Sequence, residues 1–353
     1  MVMTFKRRLG ASSQLRIICA AVATLGLTVS AKASDLTRYP KLASAQVAPG
    51  SYRDMIVLTV DKSNFTAELK TWPEDPDKST TLRKFRIAIG KAEGDKQTEG
   101  DNRTPEGIYF VQSHIPGGSL PEKYGKLAIP IDFPNPMDRI DGKTGHGIWL
   151  HGVDHDQRVE EAKVTEGCVA FHNDDIARLS PWLKGHQGAV VIASDMSKVN
   201  IPEEMAQVKR RTEEWMGAWA HRQVDSYISF YAPDFHFERM NLSQYRDYKR
   251  RVFGSYKNMQ VAFQNLRVIT HPKYAVSIFN QDFHGDKRFT SIGRKILYWK
   301  RGLGGNWLVE REVFENRRFE FVTFTDAELA LLSDKGPSIT SDTKDKQAPS
   351  SSL

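Results

Sequence analysis

Apolar and polar positions change their period near residue 196. Before it, short apolar runs at 56–60, 65–69, 85–89, 107–111, 147–150 and 190–193 are separated by turn formers such as Gly94-Asp95 and Pro134-Asn135-Pro136. That pattern predicts strands. One helix is expected over 174–183. The run Val190-Val191-Ile192-Ala193 has no polar alternation, so it reads as a buried strand, and the polar stretch 194–202 that follows ends in Pro202. From 203 to 231 aromatics recur at helical spacing, Trp215 with Trp219 and Tyr227 with Tyr231. A further helix is predicted over 243–256, then strands at 261–269, 275–283, 293–300 and 307–314. The first half is therefore mostly β, and the second an α+β unit with helices packed on a curved antiparallel sheet. From 334 onward Ser, Thr, Lys, Asp and Pro dominate and no core can form, which predicts a disordered tail. The organisation expected is a first domain at 51–195, a linker at 196–204, a second domain at 205–325 and a tail at 326–353.

The first 33 residues change the meaning of the charge. Lys6, Arg7, Arg8 and Arg16 form a basic start, 17–29 is uncharged and mostly apolar, and Ala31-Lys32-Ala33 has the small-x-small form that signal peptidase reads. About thirteen apolar residues fall short of the ~20 that span a hydrocarbon core. A cleaved signal peptide at 1–33 is expected, followed by an extension at 34–50, with export to the periplasm or cell envelope and no transmembrane segment in the mature chain. Five of the 50 basic residues lie in that signal and none of the 43 acidic ones do, so the formal +7 falls to +2. Nucleic acid is not an expected partner. The two domains differ in sign: 51–195 holds 18 basic and 23 acidic residues, whereas 206–325 holds 21 and 12. The basic second domain is expected either to hold an anionic wall polymer or to face the acidic first domain.

With Cys19 removed in the signal, Cys168 is the one remaining cysteine. It has no internal disulfide partner, and an unpaired thiol in an oxidising compartment invites a functional reading. A thiol must become a thiolate to attack a carbonyl, and an imidazole in reach can take that proton and later return it to a leaving amine. His151, which closes the apolar run Gly147-Ile148-Trp149-Leu150, is the candidate base. The alternative is a small buried core cysteine. His146, His151 and His155 lie close together, but their spacing does not match a helical zinc pair, so neither metal nor cofactor is expected. Arg103 is either a surface arginine or a clamp for a substrate carboxylate.

Thr165-Glu166-Gly167-Cys168, preceded by His151-Gly152, resembles the signature of the bacterial L,D-transpeptidases (YkuD-like domains). The segments 85–91, ending Ile89-Gly90-Lys91, and 100–109, containing Arg103-Thr104-Pro105-Glu106-Gly107, are similar to segments of that family in the same order. The resemblance covers about 55 to 195. It implies a mostly β catalytic fold with Cys168 as nucleophile, His151 as general base and the Gly152 carbonyl orienting the imidazole. Backbone N–H groups near Gly167 and Cys168 would form the oxyanion hole, with Thr165, Glu166 and Arg103 handling substrate. Three departures concern substrate handling: Glu166 replaces the usual second histidine, the gap from His151 to Thr165 is short, and Ala170 stands where Asn or Arg is common. Glu166 is expected to point away from the thiol or to meet a cation, since a carboxylate beside it disfavours thiolate. The second domain, about 205 to 325, resembles a nuclear-transport-factor-2-like (NTF2-like) cone through Trp215, Trp219, Asp225, Tyr227, Tyr231 and Phe235 and its closing aromatic strands.

These resemblances imply an exported cysteine acyltransferase acting on peptidoglycan stem peptides. Cys168 would attack the third residue of a tetrapeptide stem, expel the terminal D-alanine and leave a thioester, which another stem's amine resolves into a cross-link. If water resolves it, the enzyme is an L,D-carboxypeptidase that trims tetrapeptides and affects cell shape. A wall-binding protein with a decayed site is the reading from another class.

Overall fold

The computed structural model describes residues 51–183, 187–286 and 289–332. The signal peptide, the extension at 34–50 and the tail beyond 332 lie outside them. Among the described residues no helix is long and apolar enough to cross a membrane.

The first domain is a curled sheet built from β1 (Ser51–Asp61), β2 (Thr66–Trp72), β3 (Thr81–Gly90), β4 (Gly107–Phe110), β5 (Ile115–Pro116), β6 (Leu127–Pro130), β7 (Trp149–His151), β8 (Lys163–Thr165), β9 (Val169–Phe171) and β10 (Gly188–Ala193). Its order is β4-β10-β1-β2-β3-β9-β7-β6-β5, with β8 beside the end of β3. β10 is buried at every position, as its uninterrupted apolar run predicts, and it lies parallel to β1. Short strands β7 and β9 also pair in parallel. The helix expected over 174–183 is Asn173–Leu179 followed by a 3₁₀ turn, Ser180–Trp182, because Pro181 cannot donate an amide hydrogen to continue the α pattern.

The second domain lays helices on a four-stranded antiparallel sheet, Met259–Thr270, Ala275–Gly285, Phe289–Arg301 and Trp307–Glu315. The helical span read at 203–231 is two helices, Pro202–Ala220 and Val224–Ile228. Arg222, at φ 57°, turns the chain between them. That break lets Trp215, Trp219, Tyr227, Tyr231 and Phe235 converge in one core. Sequence reading also missed what comes after the cone. Val322–Thr325 returns to the first domain and pairs antiparallel with Ser51–Asp54 of β1, where Phe324 packs on Trp182. The expected disorder therefore does not begin at 326, since Asp326–Leu332 is helical and the Glu328 carboxylate accepts from the Thr325 N–H at 2.8 Å.

The two domains share one apolar core. Met55, Val57 and Ile108 of the first domain belong to the same buried cluster as Trp215, Phe263 and Val276 of the cone. Polar contacts fix the register: Trp72 Nε1 donates to the Val268 carbonyl at 2.9 Å, and Arg267 Nε donates to the Trp72 carbonyl at 2.7 Å. Charge runs across the same boundary. Arg267 pairs with Asp54 at 3.3 Å, Lys209 with Glu74 at 3.0 Å and Lys300 with Asp141 at 3.8 Å, and Lys273 pairs with Asp95. In each pair the cone supplies the cation. Part of the basic excess thus faces the acidic domain, and these contacts give the polymer alternative no support.

Candidate active site

The turn that carries Cys168 is held by its own threonine. Thr165 Oγ1 donates to the Cys168 carbonyl at 2.7 Å and accepts from the Gly167 N–H at 3.1 Å, a hydroxyl-bonded turn of the kind Ser and Thr favour. Gly167 adopts φ +129°, and a Cβ there would lie 2.8 Å from the Arg103 carbonyl oxygen. From the other side, Thr104 Oγ1 donates to the Cys168 carbonyl at 3.4 Å and accepts from the Gly90 N–H at 2.9 Å. The three segments 85–91, 100–109 and 165–168, far apart in sequence, meet at this turn.

Gly90 is the tightest point. A Cβ at this position would sit 2.2 Å from the Asn102 carbonyl oxygen and 2.9 Å from the Thr104 nitrogen, both backbone atoms that cannot rotate away. Gly90→Ala is expected to destabilise the protein by about 1–3 kcal/mol through overpacking, lowering its melting temperature by several degrees, and to slow turnover as the Thr104 contact shifts. Thermal unfolding followed by circular dichroism checks this, and an unchanged melting temperature would show that the approach is not tight.

His151 reaches the site from the neighbouring parallel strand. It lies opposite Ala170 in the β7–β9 pairing, and alternate residues of a strand share a face, so Cys168, two positions before Ala170, comes to the same side. Both Cys168 and His151 line one cleft of about 640 Å³. His151 is only 3% exposed, and its Nδ1 bonds the Gly152 carbonyl. A carbonyl can only accept, so Nδ1 carries the proton and Nε2 is left as an acceptor. The Tyr124 ring meets the imidazole edge-on, with centroids 5.0 Å apart, and itself packs on Trp149 at 4.9 Å.

Burial dominates the electrostatics. It lowers the His151 pKa to about 4, opposed by the Gly152 carbonyl and assisted by Arg158 and Lys123. It raises the Cys168 thiol to about 11, opposed by the Trp149 backbone and by Lys123 and Lys96, while Glu166 adds to the rise. The thiol donates to the Gly147 carbonyl at 3.5 Å. At neutral pH the cleft is therefore lined by a protonated thiol and a neutral imidazole. Such a pair can pass a proton as attack proceeds, without first storing an ion pair.

The other residues singled out by sequence have mixed placements. Glu166 lines the cleft with its side chain 69% exposed and its carboxylate 3.9 Å from Lys123. Arg103 contributes its carbonyl to the packing under Gly167, but its side chain is not among those lining the cleft. The Gly167 N–H, expected in an oxyanion hole, is already bonded to Thr165 Oγ1. The same hydroxyl donates to the Cys168 carbonyl, so the turn uses the Gly167 N–H as one of its own ties. His146 sits at the cleft wall beside Glu99 at 3.5 Å, and His155 pairs with Asp154 at 3.2 Å. Among the described residues no group of three or more His, Cys, Asp or Glu side chains could hold a metal ion. Sequence reading missed Thr104 and Tyr124. Thr104 stood inside a segment already singled out, whereas nothing in spacing marks Tyr124, which ends the 3₁₀ turn Glu122–Tyr124.

Comparison with known proteins places both domains in families. Residues 56–201 match the L,D-transpeptidase catalytic domain (YkuD), and 207–312 match the Cds6 C-terminal NTF2-like domain. YafK of Escherichia coli (strain K12) is 32% identical over 108 residues, which are 31% of this chain and 38% of YafK. The chain thus matches well under two thirds of that relative's length. Among solved structures, Bd1075 of Bdellovibrio bacteriovorus superposes with a TM-score of 0.63 at 24% identity, over 74% of this chain and 92% of the other. The helical cell shape determining protein Pgp2 of Campylobacter jejuni superposes with a TM-score of 0.61 at 22% identity, over 74% and 93%. At these identities the likeness is one of fold. Its coverage exceeds either domain alone, so it includes their union. The chain joins a YkuD-type L,D-transpeptidase catalytic domain to a C-terminal NTF2-like domain.

Proposed function

We propose that the protein is an exported cysteine acyltransferase acting on the tetrapeptide stems of peptidoglycan, with Cys168 as nucleophile and His151 as base. The observation that carries this reading is the convergence of a single thiol and an imidazole, its Nδ1 committed to the Gly152 carbonyl, in one cleft. In the reaction, Sγ attacks the carbonyl of the third, L-configured residue while Nε2 takes the thiol proton. The Gly152 carbonyl steadies the imidazolium that forms. The oxyanion is assigned to the Cys168 N–H, in place of the occupied Gly167 N–H. Collapse returns the proton to the departing D-alanine amine and leaves a thioester on Cys168. An amine of another stem then attacks the thioester, forming an amide and releasing the thiol. Lys91 and Lys123 at the cleft suit a donor peptide that ends in a free carboxylate.

The second reading replaces the amine by water, giving an L,D-carboxypeptidase. It is favoured by the shared two-domain fold with Pgp2, a protein named for cell shape. The intact His151–Gly152 contact counts against a decayed wall-binding protein. The test is to incubate the mature protein with a defined disaccharide tetrapeptide and read product masses. A cross-linked dimer supports transpeptidation, tripeptide plus D-alanine supports hydrolysis, and unaltered tetrapeptide rejects both.

A further inference from the structure

The turn at 271–274, which joins the cone strands Met259–Thr270 and Ala275–Gly285, enters the catalytic domain. β4 ends its sheet, and an edge strand leaves backbone groups that need partners. Tyr274 supplies them. Its hydroxyl accepts from the Ile108 N–H and from Asn135 Nδ2, each at 2.7 Å, and donates to the Ile108 carbonyl at 3.1 Å, which uses its one donor and both acceptor positions. Beside it, Lys273 pairs with Asp95 and donates to the Glu106 carbonyl at 3.2 Å.

Lys273, with its side chain 30% exposed, completes at the rim a largely buried cluster of alternating charge in which Asp95 and Glu106 are 15% and 17% exposed. Asp95 also meets Lys143 at 2.9 Å, Lys143 meets Asp138 at 2.7 Å, and Glu106 meets Lys62 at 2.9 Å. Lys62, Lys143 and Asp138 side chains are 4%, 3% and 2% exposed. Three carboxylates then face three ammonium groups, and without Lys273 the cluster holds one anion in excess. An uncompensated buried charge is strongly unfavourable. The cluster also reaches the nucleophile. Lys62 Nζ donates to the Gly94 carbonyl at 2.6 Å and the Thr104 carbonyl at 2.8 Å, and Thr104 Oγ1 holds the Cys168 carbonyl. Asp95, Glu106 and Thr104 all belong to the segment 91–106, whose Lys91, Glu99 and Asn102 line the cleft.

We infer that Lys273, on the cone, is a positioning residue for Cys168: by balancing the charge around Asp95 and Glu106 it fixes the segment 91–106, and through Thr104 it fixes the nucleophile's backbone. This rests on the reading of Cys168 as nucleophile. A contiguous set of contacts becomes coupling only when two sites are shown to act through one element, so the test is a cycle in the full mature chain. Lys273→Met, Lys273→Arg, Thr104→Val and the double variant Lys273→Met/Thr104→Val are compared in tetrapeptide turnover and in alkylation of Cys168 by iodoacetamide. Misplacement of a reacting group by about 1 Å can cost on the order of 100-fold. Lys273→Met should therefore lose roughly ten- to a hundredfold in kcat with KM nearly unchanged, and its alkylation rate should shift. Lys273→Arg should recover both, and the double variant should be no worse than Thr104→Val alone. Should Lys273→Met fail to fold, Lys273→Gln takes its place. Parent-like kcat and alkylation in the uncharged variant, or losses that multiply with Thr104→Val, would overturn the inference. If the parent itself leaves tetrapeptide intact, the proposed function fails, and the alkylation cycle still decides the role of Lys273.

Discussion

Cys168→Ala is expected to abolish release of D-alanine while leaving the fold in place. The side chain is small and sits at the cleft with 9% of its residue surface exposed. Its thiol makes a long hydrogen bond to the Gly147 carbonyl and meets the Trp149 backbone. The turn around it is held by its backbone carbonyl through Thr165 and Thr104, contacts that alanine keeps. Structure and reactivity therefore separate cleanly at this position. No other cysteine is present in 34–353, so no second thiol can substitute. The comparison is parent against variant on a defined tetrapeptide, with the circular dichroism spectrum and melting temperature as the control. Undiminished D-alanine release by a folded variant would remove the thioester route and with it the transferase and carboxypeptidase readings alike.

What sequence could reveal depended on how local the signal was. Segments 85–91, 100–109 and 165–168 were legible through their resemblance to L,D-transpeptidase segments, and the Gly90 and Gly167 contacts supply a physical reason for the glycines in two of them. Their order along the chain was enough to suggest one site. The state of Gly167 N–H was not legible, because it depends on which way the Thr165 hydroxyl turns. Neither was the placement of Arg103, whose backbone bridges to Ala92. At the domain level, the change from period two to helical spacing marked the seam, but periodicity says nothing about what lies across it. The shared core, the Tyr274 contact with β4 and the return of Val322–Thr325 to β1 are all pairings between residues more than a hundred positions apart. Opposite net charges hinted at docking, and four ion pairs now give that hint named partners.

For His151→Ala the expected outcome is a loss of turnover of about 10²–10⁴-fold, the usual worth of a general base, together with a change in how Cys168 responds to pH. In the parent, burial places the thiol at about 11 and the imidazole at about 4. Between those values the proton rests on sulfur and Nε2 is free to receive it, so attack on iodoacetamide near neutral pH draws on His151. Removing the imidazole should slow that alkylation across pH 5 to 9. As pH approaches 11 the thiol ionises without help, and the rates of variant and parent should converge. Below about pH 5 the parent too should lose turnover, because a protonated His151 cannot accept the thiol proton. A stored thiolate–imidazolium pair would behave differently, giving a parent rate nearly flat from pH 5 to 9. Equal alkylation of variant and parent throughout that range would show that the two side chains are not coupled, and the assignment of His151 as base would fall while Cys168 remained open to another partner in the cleft.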